Sequence, residues 1–118
     1  MTPPENLGPR GLTLWESIAE GFDLAQHEAD LLHEAARVAD RLDDLDAVVR
    51  RDGVTVSTPQ GPKAHPALVE ARQQSIVLTR LVASLRIPDE EGHAPQRRGG
   101  ARTPYTARRK YGKRSVGA

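Results

Sequence analysis

Two helical-period apolar stretches, separated by a Gly/Pro-rich break, constrain the fold of this chain most. Leu31, Ala35, Val38, Leu42, Leu45 and Val49 alternate in steps of four and three, and so do Leu68, Ala71, Ser75, Leu78, Val82 and Leu85. Such spacing places each set along one stripe of an α-helix and describes a heptad seam, as in a coiled coil. Gly53 stops the first helix, near Arg51, where a residue without Cβ turns the chain most easily. Pro66 opens the second, since its missing N–H is not needed in a first turn, and Pro88 closes it after Leu85. Between them, residues 54–64 alternate β-formers around Pro59, Gly61 and Pro62, which reads as a short hairpin or an ordered loop. Two seams joined by so short a connection predict an antiparallel helical hairpin.

The last helix carries a second apolar flank of Val69, Ile76, Val77 and Leu81. A helix apolar over so much of its circumference needs more than one neighbour. Aromatic residues make up only 3% of the 118, so a core built mainly of Leu, Val, Ile and Ala is marginal by itself. Contacts between copies would add the missing burial. The expectation is a homo-oligomer whose interface draws on Leu31, Val38, Leu42, Leu45, Val49, Ile76 and Leu81.

Upstream, residues 1–8 read as an irregular arm. Pro9 starts a short helix on which Leu14, Trp15, Ile18 and Phe22 share a face, and Gly21 ends it. Trp15 and Phe22 read as the local core under that helix rather than as an anchor for a partner. Asp23 followed by Gln26 suggests an N-cap with a capping box for the long helix. The predicted fold class is therefore all-α: a short N-terminal helix, then a long antiparallel helical hairpin with a small β-hairpin or loop at its turn. Residues 9–88 would form the helical oligomerisation domain. Residues 89–118 lose apolar periodicity and should be disordered when free.

Charge divides along the same boundary. Residues 1–91 hold 9 Lys+Arg against all 16 Asp+Glu, a net of −7, whereas residues 92–118 hold 8 Lys+Arg and no acid, a net of +8. An acidic body with a basic tail points to a polyanionic partner for the tail. Arg97, Arg98, Arg102, Arg108, Arg109, Lys110, Lys113 and Arg114 carry the charge, with Tyr105 and Tyr111 among them. Arginine grips phosphate bidentately and tyrosine stacks on exposed bases, so these ten residues are the candidate nucleic-acid contacts. A solubilising tail, or one that docks on an acidic protein, is the competing reading. A helix-turn-helix over the first helix, Gly21 and the start of the long helix fits less well. Residues 24–52 carry 8 acids and 4 arginines, too acidic for a helix that must face phosphates.

No catalytic motif is complete in the sequence. A phosphate-binding loop ending at Gly112-Lys113 would need glycine where Ala107 stands. His27-Glu28 and His33-Glu34 begin a zinc-protease motif, but Leu31 and Arg37 occupy the positions of its second histidine. Asp43, Asp44 and Asp46 point in different directions from a helix and read as a solvated face. His65, beside Pro66, reads as a partner for free backbone N–H groups at a helix start, with DNA or protein contact the alternative. No cysteine is present, no cofactor or metal is expected, and no apolar run nears the ~20 residues of a membrane span. The polar, proline-bearing stretch Met1 to Arg10 is not expected to act as a signal peptide.

The order of these pieces resembles the P27-type family of phage small terminase subunits. Gly11-Leu12-Thr13-Leu14-Trp15-Glu16-Ser17-Ile18, then Asp30-Leu31, Gly53, Lys63-Ala64-His65-Pro66-Ala67-Leu68 and Leu85-Arg86-Ile87-Pro88 carry the resemblance, which covers about residues 7–88. The family usually has glycine near Arg86, a departure here. The resemblance implies a bacteriophage protein of the host-cell cytoplasm that takes part in viral genome packaging. It implies a ring that binds double-stranded viral DNA without catalysis of its own. The ring would present that DNA to a large terminase subunit bearing the motor and nuclease.

Overall fold

A computed structural model describes residues 1–88 and the short strand Arg108–Arg109. Three helices dominate: α1 (Pro9–Ala19), α2 (Gln26–Asp52) and α3 (Pro66–Leu85). Two antiparallel pairs of strands accompany them. β1 (Phe22–Asp23) pairs with β4 (Arg108–Arg109), and β2 (Thr55–Thr58) pairs with β3 (Gly61–Ala64). The fold is thus mostly helical and not strictly all-α, since both strand pairs lie outside a purely helical plan. The expected disorder of the tail falls on residues outside the described ones, apart from Arg108 and Arg109.

α2 and α3 form the predicted antiparallel hairpin. Gly53 ends α2 with φ 89°, in the region that favours glycine, and donates its N–H to the Val49 carbonyl at 2.7 Å. Residues 54–64 resolve as a hairpin in the register Thr55↔Ala64, Val56↔Lys63, Ser57↔Pro62 and Thr58↔Gly61. Its turn is fixed by Thr58, whose hydroxyl donates to the Gly61 carbonyl at 2.6 Å and accepts from the Gln60 N–H at 3.3 Å. Pro62 is tolerated because a two-stranded pair is all edge. At the far end of α3, Arg86 sits in the left-handed conformation, φ 51° and ψ 47°. A helix terminus of this kind is ordinarily glycine, so arginine here is an uncommon choice.

The core lies at the end of the hairpin away from β2 and β3. Trp15, Ile18, Ala19 and Phe22 meet Ala29, Leu32 and Leu85, with Leu7, Leu14, Leu24, Leu31 and Ile87 packed around them. Burying each large side chain contributes roughly 1.5–3 kcal/mol before chain entropy is set against it. Trp15 and Phe22 are core, as their spacing suggested. Leu7 joins this cluster, so the end of the N-terminal arm is tied to the body.

Two local expectations change. Asp23 is not the N-cap of α2: it lies in β1, and the helix starts at Gln26 after Ala25. Alanine has no side-chain acceptor, so only half of a capping box forms, with the buried Glu28 carboxylate accepting the Ala25 N–H at 2.8 Å. Asp23 is instead extended and paired with Arg108, and the extended Ala25 precedes the first turn of the helix. The buried stripe of α2 is also wider than the predicted seam. Leu32, absent from the seam, is fully buried, whereas Leu31 is half-buried. The reason is that α2 serves two neighbours: Ala29 and Leu32 face the α1 core, while Leu42 and Val49 line a cleft with Leu68, Ala71 and Ser75 of α3.

Candidate nucleic-acid interface

Of the ten predicted nucleic-acid contacts, Arg97, Arg98, Arg102, Tyr105, Lys110, Tyr111, Lys113 and Arg114 lie outside the described residues. Arg108 and Arg109 are placed by their backbone, paired antiparallel with Asp23 and Phe22 respectively. Arg108–Arg109 therefore pair with the body at β1, a contact that no local pattern in the sequence announces.

Four arginines of the body form ion pairs among the described residues. Arg10 pairs with Asp43 at 3.2 Å, Arg37 with Glu34 at 3.2 Å, Arg50 with Asp46 at 2.7 Å and Arg51 with Asp52 at 2.8 Å. These exposed pairs contribute little stability, but they cancel much of the body's positive field. Two of the three clustered aspartates, Asp43 and Asp46, are thus arginine partners. No group of carboxylates and histidines among the described residues is arranged to hold a metal ion. Lys63, Arg72 and Arg80 are exposed and form no ion pair among the described residues.

The predicted oligomer residues separate into two sets. Val38 is 1% exposed and packs within the chain, so it has no surface to offer a second copy, a correction to the expected interface. Leu31, Leu42, Leu45, Val49 and Leu81 are half-buried. Leu42 and Val49 are used by α3 of the same chain. Ile76 is 47% exposed and shares the outer face of α3 with exposed Val69 and Val77. Arg72 and Arg80 flank that apolar stripe at helical spacing.

His65 takes the structural role expected of it. Its Nδ1 accepts the Ala67 N–H at 2.9 Å, capping α3, and its Nε2 lies 2.9 Å from Oδ2 of Asp52 at the end of α2. An amide only donates, so Nδ1 carries no proton and Nε2 donates to Asp52. The ring, 8% exposed, clips the two helices together beside the β-hairpin. The Arg51 guanidinium first, and His65 second, hold the Asp52 carboxyl well below the usual carboxylate range. A carboxyl lowered in this way contributes stability above its unfolded value that is lost as pH falls through the folded one. We expect His65→Ala to cost about 1 kcal/mol at neutral pH through the lost cap. Urea unfolding of both proteins should show the difference shrinking as the solution is acidified; a constant difference would refute the clip.

Sequence reading overlooked a second cross-helix contact. Asp40 of α2 accepts the N–H groups of Gly8 and Gly11, both at 2.7 Å, and so caps α1 from the neighbouring helix. A Cβ on Gly11 would lie 2.5 Å from the Ala36 carbonyl oxygen and collide with the Asp40 carboxylate. The available signal was a glycine inside a helical pattern, where it costs stability unless close packing requires it.

No protein-family model, curated protein or solved structure matches this chain. Among the described residues no helix is long and apolar enough to cross a membrane.

Proposed function

We propose that this protein is a small terminase subunit. On this reading it is a non-catalytic adaptor that assembles into a homo-oligomeric ring in the host-cell cytoplasm, binds double-stranded viral DNA and delivers it to the large terminase subunit for packaging. The observation that carries the proposal is charge segregation: eight cations and no acid in residues 92–118, behind a net-acidic body in which Arg10, Arg37, Arg50 and Arg51 are paired with carboxylates. Phosphates are the partner such a tail fits best. The helical hairpin and the exposed stripe of Val69, Ile76 and Val77 support assembly, since contiguous apolar surface marks interaction sites. A nucleic-acid-binding regulator outside packaging, or a helical interaction protein, would share the tail but need not form a ring.

The assembly is expected to contain more than four subunits. Ile76→Glu places a charge in the exposed stripe, outside the buried core of the protomer. It should therefore release monomers that keep their helicity. Light scattering with circular dichroism is the check, and a monomeric unmodified protein at micromolar concentration would defeat the ring.

A further inference from the structure

We propose that the Phe22–Asp23 edge is a docking site for the protein's own arginine segment, and that DNA must displace the tail from it. The inference rests on the tail being the DNA-binding element. Its first support is the ladder itself: Arg109 and Arg108 pair antiparallel with Phe22 and Asp23. Two residues of ladder are too few to hold a segment separated from α3 by a long connection, because closing that loop costs entropy. A further attraction is needed, and the local charge supplies it. Residues 11–36 contain six acids and no Lys or Arg. Glu16 and Glu20 lie one turn apart, leading into β1, and Asp23 belongs to β1. All three are exposed and have no ion-pair partner among the described residues, unlike Glu34, Asp43, Asp46 and Asp52. Asp23, within the edge, and Glu16 and Glu20, just before it in the chain, thus supply unpaired negative charge to the element on which Arg108–Arg109 is seated.

Such a contact is sensitive to salt and yields to a denser polyanion, since duplex DNA carries a charge about every 1.7 Å. While docked, the segment is withheld from phosphate, and apparent DNA affinity falls by the undocked fraction. If the tail is docked roughly nine-tenths of the time, freeing it tightens binding about tenfold.

The test compares the full chain with Glu20→Gln/Asp23→Asn and with Asp44→Asn/Glu70→Gln, which removes the same charge from exposed acids of α2 and α3 that hold no ion pair among the described residues. Binding to a mixed-sequence DNA duplex is read by fluorescence anisotropy, and amide exchange at Phe22 and Asp23 by mass spectrometry or NMR. We expect the β1 variant to bind several-fold more tightly than the control variant. Protection at Phe22 and Asp23 should be lost in that variant, in a chain ending at Glu91, and on adding DNA. Equal tightening in both variants would reduce the effect to overall charge and overturn the proposal, as would unchanged protection after removal of the tail. If protection vanishes with the tail but the full chain binds no duplex, the nucleic-acid reading fails and the competition with it, leaving only the docked tail.

Discussion

Gly11→Ala should destabilise the fold by about 2–3 kcal/mol. Taken as a helix substitution alone it should do the opposite, since alanine is favoured over glycine by roughly 1 kcal/mol in a helix. Two larger effects oppose that gain. The new methyl would stand 2.5 Å from the Ala36 carbonyl oxygen, a backbone atom that cannot rotate away. Overpacking of this kind costs about 1–3 kcal/mol. The methyl also meets the Asp40 carboxylate, which must move and so release the Gly8 and Gly11 N–H groups; loss of a helix cap costs about 0.5–2 kcal/mol more. Gly21→Ala is the internal control, because a Cβ there meets nothing closer than 3.9 Å. Asp40→Ala should reproduce much of the loss, and the double variant should fall short of the sum, because both changes break one contact. Denaturant unfolding decides the matter: a Gly11→Ala protein as stable as the parent means α1 and α2 do not approach as closely as described.

Removal of the tail after Glu91 should abolish most DNA binding while leaving helicity and assembly intact. Each phosphate neutralised contributes about −0.9 to the slope of log K against log salt, so one tail using all eight cations gives a slope no steeper than about −7. Several tails around a ring would steepen it, which makes the slope a count of the tails engaged. Binding through phosphates carries little sequence information, so the tail should bind unrelated duplexes nearly alike. Recognition of a packaging site would then fall to the folded body or to DNA shape. If the shortened chain binds as tightly as the full one with the same slope, the contact belongs on the body. The exposed Arg72 and Arg80 on α3 would be the first place to look.

Much of the architecture was legible because it is set by neighbours in the chain. Pro9 and Pro66 begin helices and Gly53 ends one, and the three-four spacing of apolar residues marks both long helices and part of the buried stripe, Ala35, Val38 and Leu85. His65 was readable for the same reason, since a cap acts on an amide two residues away. The candidate site was legible only as composition: the sequence shows a cationic tail but not where it rests.

The sequence by itself determined the helices, the hairpin turn and the separation of charge, because propensity, periodicity and net charge are local or additive properties. Tertiary structure decided the rest. It moved Asp23 from a helix cap into a strand and turned Val38 inward. It closed the clip from His65 to Asp52 and seated Asp40 over Gly8 and Gly11, residues 32 and 29 positions away. A carboxylate reads alike in sequence whether it faces water or two amides of a distant helix. Only the packing of α1 against α2 brings those amides within hydrogen-bonding distance and leaves glycine as the residue that fits between them.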